Sequence, residues 1–245
     1  ALNSSHELAS IYAGFANGDF FLLRRLPDAR ERAAFSAPSQ AAYLLQTITE
    51  VSGERLGQFT FLDEQLATLR TDDHPDYAAD YDPRQREWYT RAMQNAGQIK
   101  TAPYVFFTSQ QVGTTFANRA VGGHAVIGAD IRLSTLNHIL VQQKVTPGSR
   151  IVLAHASGRV IAFEDEARII KQGASGRADE LATLAELGVP VFERLHAEQA
   201  LPELAQRGTQ VLTVDGQPWR VHASPIRLEG TQTLYIVTAI PDAEL

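Results

Sequence analysis

Asn17-Gly18-Asp19, set between the apolar runs 11–16 and 20–26, is the feature that most narrows what this chain can fold into. A tight hairpin turn needs positive φ at its central residues, which Asn and Gly tolerate, so the two runs read as adjacent antiparallel strands. The device recurs. Residues 41–51 pass through Ser52-Gly53-Glu54 into 56–62 and then 66–69, and the runs 113–121 and 124–131 are joined by Gly122-Gly123. A shorter β-rich run, 104–108, precedes that pair. Helical spacing of Leu133, Leu136, Ile139 and Leu140 then predicts a helix that closes a first unit near Lys144.

Beyond the linker-like Thr146-Pro147-Gly148-Ser149 the plan repeats in smaller form. Runs 151–155 and 159–163 flank Ala156-Ser157-Gly158, polar helical sequence spans about 178–207, and strands 209–214, 219–224 and 233–239 follow. Asp215-Gly216 and Glu229-Gly230 supply the turns between them. Two units, each a hairpin, a helical middle and an antiparallel meander, predict an α+β chain of tandem modules in which one sheet is flanked by helices. Such an order excludes the alternating pattern of a doubly wound parallel sheet.

Composition removes several function classes. With 44% apolar and 20% charged residues, a chain of 245 residues can bury a true core. The net charge of −6, without a basic run, argues against nucleic acid or an anionic membrane surface as partner. The absence of cysteine excludes disulfides, thiolate metal sites and a thiol nucleophile. No stretch approaches the ~18 apolar residues of a spanning helix, so the expectation is a soluble protein or an excised piece of a larger one. The two-glycine run from Gly123 to Gly128 lacks the lysine of a phosphate loop, and the seven histidines include no pair at metal-ligating spacing. Asp72, Asp73 and Asp76 read as a solvated turn. The expectation is no catalytic residue, no metal and no cofactor.

One cluster differs in kind: Tyr81-Asp82-Pro83-Arg84-Gln85-Arg86-Glu87-Trp88-Tyr89. Asp82-Pro83 opens a predicted helix to about Asn95, with proline in the first turn. Free N–H groups and a partial positive charge at a helix start favour an anion, and the arginines add to both. Arg86 and Tyr89, three apart, share a face, whereas Arg84 and Arg86 do not. A plainer reading stands beside this one: Trp88 and Tyr89 anchor the helix to a sheet and the arginines are solvated. Trp219 and Arg220, in a late strand, read as packing residues.

Asp-Pro-Arg-x-Arg-x-Trp-Tyr, with the Asn-Gly hairpin before it and Pro-Tyr-x-Phe and Gly-x-Asp-Ile after it, resembles the extracytoplasmic double-Cache sensor domain of bacterial transmembrane receptors. The resemblance covers nearly the whole chain. It implies two PAS-like modules on a long N-terminal helix: residues 1–10 a remnant of that helix, 11–145 a membrane-distal ligand-binding module and 149–241 a membrane-proximal module. Members that bind amino acids carry a set of residues whose places here are taken by Tyr81, Arg86, Trp88, Tyr89, Tyr104 and Asp130. Glu87 stands where the family usually has proline, which adds a negative charge beside the anion site. The ligand implied is an amino acid or a related small carboxylate or amine. Arg86 would offer the planar fork for a carboxylate, Asp130 the counter-charge for an ammonium, and Trp88 or Tyr104 a cation–π face.

Period two along 124–131 puts Val126, Gly128 and Asp130 on one face, with Gly128 leaving space beside Asp130. Tyr104, Phe106 and Thr108 likewise share a face. The plainer alternatives are a helix cap for Asp130 and a core aromatic for Tyr104. The resemblance also implies the periplasmic part of an inner-membrane receptor, anchored and dimeric at full length, whose output module lies elsewhere. The fragment itself is then expected to be a monomer or weak dimer. A second expectation is a protein-interaction module with a vestigial pocket that reads a periplasmic binding protein.

Overall fold

A computed structural model describes residues 8–173, 178–227 and 233–245. The chain divides into two compact units: one holds the described residues up to Thr101 together with Thr114–Arg132, the other Ala102–Gly113 together with Leu133–Leu245.

In the first unit, β1 (Leu8–Phe15) and β2 (Phe20–Arg25) form the expected hairpin, Gly18 sitting at φ +96°. A short helix, α1 (Ala29–Ala34), precedes β3 (Tyr43–Val51), and β3 turns through Ser52 and Gly53, at φ +56° and +86°, into β4 (Glu54–Leu62). Two successive positive φ values make this the tight primed turn whose twist suits a hairpin. The next strand, β5 (Thr68–Asp73), begins later than expected and absorbs Asp72 and Asp73, which are therefore ladder residues and not turn residues. It is followed by α2 (Pro75–Asp80), α3 (Glu87–Gln94) and β6 (Ile99–Lys100). Of the expected strand at 104–108 only β7 (Tyr104–Val105) forms, in the second unit, and it pairs with the first residues of β8 (Val112–Arg119). The last strand is β9 (Ala125–Arg132).

The sheet runs β5-β4-β3-β2-β1-β9-β8-β6. Its first strand is thus central, held between its hairpin partner and the unit's last strand.

The second unit repeats that order. After α4 (Ser134–Gln142) come β10 (Arg150–His155), β11 (Val160–Phe163), the small hairpin β12 (Ile170–Gln172) and β13 (Ala178–Leu181), α5 (Pro190–Glu198), α6 (Leu201–Arg207), β14 (Gln210–Val214), β15 (Gln217–Arg227) and β16 (Thr233–Pro241). Its sheet reads β11-β10-β16-β15-β14, again with the first strand between the second and the last. Both units are therefore PAS-like, the first widened by the inserted meander β3–β5.

Alternation along β10 explains how both faces of this sheet are covered. Val152 and Ala154 join Phe192, Leu195 and Leu204 of α5 and α6, whereas Ile151 and Leu153 join Leu140 of α4. The helix expected to close the first unit thus belongs to the second, and the division falls after Arg132 instead of near Lys144.

Two further expectations change. Leu8–Ser10, assigned to a leading helix, are the first residues of β1, and the rest of that segment lies outside the described residues. The polar stretch 178–207 starts as strand β13 and then splits into a 3₁₀ turn and two helices, because Gly188 at φ +64° and Pro190 and Pro202 interrupt it. The turn at Glu229-Gly230 lies outside the described residues. Among the described residues no helix is long and apolar enough to cross a membrane.

Candidate functional site

The helix predicted from Pro83 to Asn95 is broken at Arg86. Asp82 accepts a hydrogen bond from the Arg84 N–H, Pro83–Gln85 make one 3₁₀ turn, and Arg86 is extended at φ −84°, ψ 142°, capping α3. The two arginines are separated by this break. Arg84 folds back on Asp82, its Nε and Nη2 2.9 and 2.8 Å from the carboxylate oxygens, and lies against the Asn17-Gly18 turn. Arg86 is half-buried, its guanidinium carbon 5.7 Å from the centre of the Tyr81 ring.

Behind Arg86 is an aromatic layer. Trp88, 2% exposed, meets Tyr12 edge-on at 4.8 Å and Tyr89 at 5.6 Å, and Tyr81 lies 4.9 Å from Phe20. Such close approach of α3 to the sheet requires Gly14, where a Cβ would come within 2.8 Å of the Trp88 ring and 2.9 Å of Pro83. The plainer reading of Trp88 and Tyr89 as anchors therefore holds, and it does not exclude a second role.

Asp130 is 5% exposed and is no helix cap, since Leu133 takes the cap position of α4. Its Oδ1 accepts from Tyr12 (2.7 Å) and Thr115 (2.6 Å), and its Oδ2 from Ser10 (2.9 Å). Burial pushes the carboxyl above its ordinary pKa, while these three hydroxyls and the charge of Arg24 pull it down. Arg24 is itself 3% exposed, with burial lowering its pKa and Asp130 opposing that shift; its Nε donates to Gln46 Oε1 at 3.2 Å. Register accounts for the arrangement: Ser10 is the cross-strand partner of both Asp130 and Arg24, so the two charges flank it on the inner face. The space expected beside Asp130 is occupied, because the Tyr12 ring fills the gap that Gly128 leaves.

Tyr81 links the two ends of this cluster. Burial raises its pKa far above the ordinary value, Arg86 and a hydrogen bond with Trp88 lower it, and Asp130 raises it further. Of the six residues singled out by the sequence, Tyr81, Arg86, Trp88, Tyr89 and Asp130 fall in the first unit. Tyr104 falls in the second, its ring 5.3 Å from Phe106.

Sequence reasoning missed Ser10, Tyr12, Arg24 and Thr115. Their signal was a polar residue on the inward face of an otherwise apolar strand, a pattern that period two exposes once the face is known. Among the described residues no group of three or more His, Asp or Glu could hold a metal ion.

No protein-family model matches the chain. Adenylate cyclase 1 of Rhizobium meliloti is 29% identical over 188 residues, 76% of this chain but 28% of that protein. The methyl-accepting chemotaxis protein PscA of Pseudomonas syringae is 32% identical over 99 residues, 38% of this chain and 15% of its own length. The chain therefore spans less than a third of the length of these curated relatives. Among solved structures, the ligand-binding domain of the Pseudomonas aeruginosa amino acid chemoreceptor PctC, in complex with GABA, superposes with a TM-score of 0.50 at 17% identity, over 96% of this chain and 75% of that one. The fold is the double-Cache fold. In the double-Cache plan the repeated strand order of the two units corresponds to the two PAS-like modules.

Proposed function

We propose that this chain is the extracytoplasmic sensor domain of a membrane signal-transduction receptor, and that its first unit is the membrane-distal module and binds a small amino acid or a related carboxylate or amine. Relatives named for two different outputs, a cyclase and a chemotaxis receptor, match only a part of their length, as a shared sensor module would. The domain itself is a sensor and not a catalyst, and the output module belongs to the longer receptor.

What supports the ligand class is a half-buried arginine, Arg86, over the Tyr81 ring and a buried carboxylate, Asp130, in the same unit. A zwitterion buried in a protein needs opposite charges at fixed separation. Arg86 supplies a bidentate fork for the carboxylate. Asp130 supplies the anion: Oδ1 already takes two hydroxyl donors, whereas Oδ2 takes one among the described residues and keeps a lone pair for an ammonium. The GABA bound by PctC carries the same two charged groups. The protein-interaction reading has no support in these relatives or in this geometry.

Calorimetric titration with the standard amino acids and GABA tests the proposal. Arg86→Ala and Asp130→Asn should each cost about 2–5 kcal/mol of affinity, roughly thirty- to several-thousand-fold. Arg84→Ala, whose charge is spent on Asp82 over the first hairpin turn, should change affinity little. Binding that survives both Arg86→Ala and Asp130→Asn, or none to any member of the panel, would sink the ligand assignment.

A further inference from the structure

The second unit contains a cleft of about 350 Å³, within the size range of small-molecule sites. Part of its wall is apolar, made by Phe163, Val189, Val191, Val214 and the half-buried indole of Trp219, and charged residues line the rest. Trp219 is the residue that the sequence assigned to packing alone.

The charges around the cleft decide what the wall can receive. Arg150 is bonded to Glu164 at 2.9 Å, and Glu164 also pairs with Lys144. Arg168 holds Asp165 at 3.0 Å and donates to the Leu187 carbonyl at 3.2 Å. Lys144 and Arg150 thus share Glu164, and Arg168 is matched by Asp165. The remaining group is Asp215, in the β14–β15 turn, which has no ion pair or side-chain hydrogen bond among the described residues. The start of α5 also lines the cleft but offers an anion little. Pro190 has no N–H, and the Phe192 and Glu193 N–H groups are bonded to the Val189 carbonyl, which leaves only the Val191 N–H in this turn. A half-buried indole and an exposed carboxylate without an ion pair among the described residues, lining one cleft, are a cation-binding combination.

We propose that this cleft is a second ligand site, contained in the second unit, for a small organic ammonium ion whose alkyl part lies against the valines. Trp219 presents its ring face to the cation and Asp215 supplies the counter-charge. The inference does not depend on the first unit's ligand, because no residue of Arg86, Trp88 or Asp130 contributes to it.

The chain has two tryptophans, so its two indole N–H resonances report on the two units separately. The experiment titrates ¹⁵N-labelled protein with n-butylammonium chloride and, in parallel, with sodium butyrate, the Trp219 signal being assigned by its loss in Trp219→Phe. The Trp219 signal should shift saturably with butylammonium and stay in place with butyrate. Asp215→Asn should weaken that response at least fivefold, and Arg86→Ala should leave it unchanged. A Trp219 signal that does not move, moves without saturating, moves equally with butyrate, or responds equally in Asp215→Asn overturns the site. A shift confined to the Trp88 signal and abolished in Arg86→Ala also overturns it, while leaving the first-unit reading intact.

Discussion

Gly128→Ala tests the packing that fixes the environment of Asp130. Gly128 lies in β9 without a left-handed φ, so alanine strains no backbone and its whole effect is steric. The added Cβ would press closest on Tyr12 Cε2 and sit 2.5 Å from its Cζ and 2.9 Å from its Cδ2, more than about 1 Å inside ordinary contact at the nearest atom. The ring has little room to retreat, with Trp88 at 4.8 Å and Phe20 at 5.7 Å, and if it swings aside its hydroxyl leaves Asp130. Overpacking costs about 1–3 kcal/mol. A lost hydrogen bond to a charged acceptor costs about 1.5–3 kcal/mol. Gly128→Ala should therefore destabilise the first unit by about 2.5–6 kcal/mol, and Tyr12→Phe by the second amount alone.

In the Tyr12→Phe background the alanine has no hydroxyl left to dislodge, so the double variant should fall short of additivity by about 1.5–3 kcal/mol. Gly97→Ala is the control, since nothing lies within 4 Å of a Cβ there, and it should stay within about 0.5 kcal/mol of the parent. Urea unfolding followed by Trp88 fluorescence, with Trp219→Phe as common background, reads all four. A Gly128→Ala cost under about 0.5 kcal/mol, or full additivity with Tyr12→Phe, refutes the reasoning.

Two predictions concern pH. Burial raises the Asp130 pKa above its unfolded value near 3.8, so stability attached to this group is fully present below that pH and is lost as pH rises through the folded value. Asp130→Asn without ligand should abolish that decline, and a urea midpoint that falls with pH just as the parent's does would refute the assignment. Glu186 behaves oppositely: its bond to Lys171, with the Thr183 backbone N–H, holds it down to about 2, so its contribution is present above pH 4.5 and lost as pH falls through about 2. Because the site is exposed the effect is small, and Glu186→Gln should slightly flatten the acid limb of unfolding followed by circular dichroism. An unchanged acid limb would count against it.

What the sequence determined by itself was local. The hairpins at Gly18, Gly53, Gly158 and Gly216 were legible because each turn needs positive φ at its own residues, a demand met on the spot by Gly and, at two of them, also by Ser52 or Asp215. From those turns followed the two-unit plan, and the cluster from Tyr81 to Tyr89 marked the candidate site. Short elements were not legible. One turn of 3₁₀ helix or a strand of two residues has too few positions to show a period, so the break at Arg86 and the brevity of β7 went unread.

Only the tertiary structure decided which side chains meet. Tyr12, and not a ligand, fills the space at Gly128; Arg24 lies across Ser10 from Asp130; α4 packs on the second sheet; Tyr104 falls in the second unit. None of these follows from residues near in sequence. Cross-strand register and helix docking are set by the global burial of apolar faces, and the partners of a buried charge are whichever polar groups that register brings alongside it.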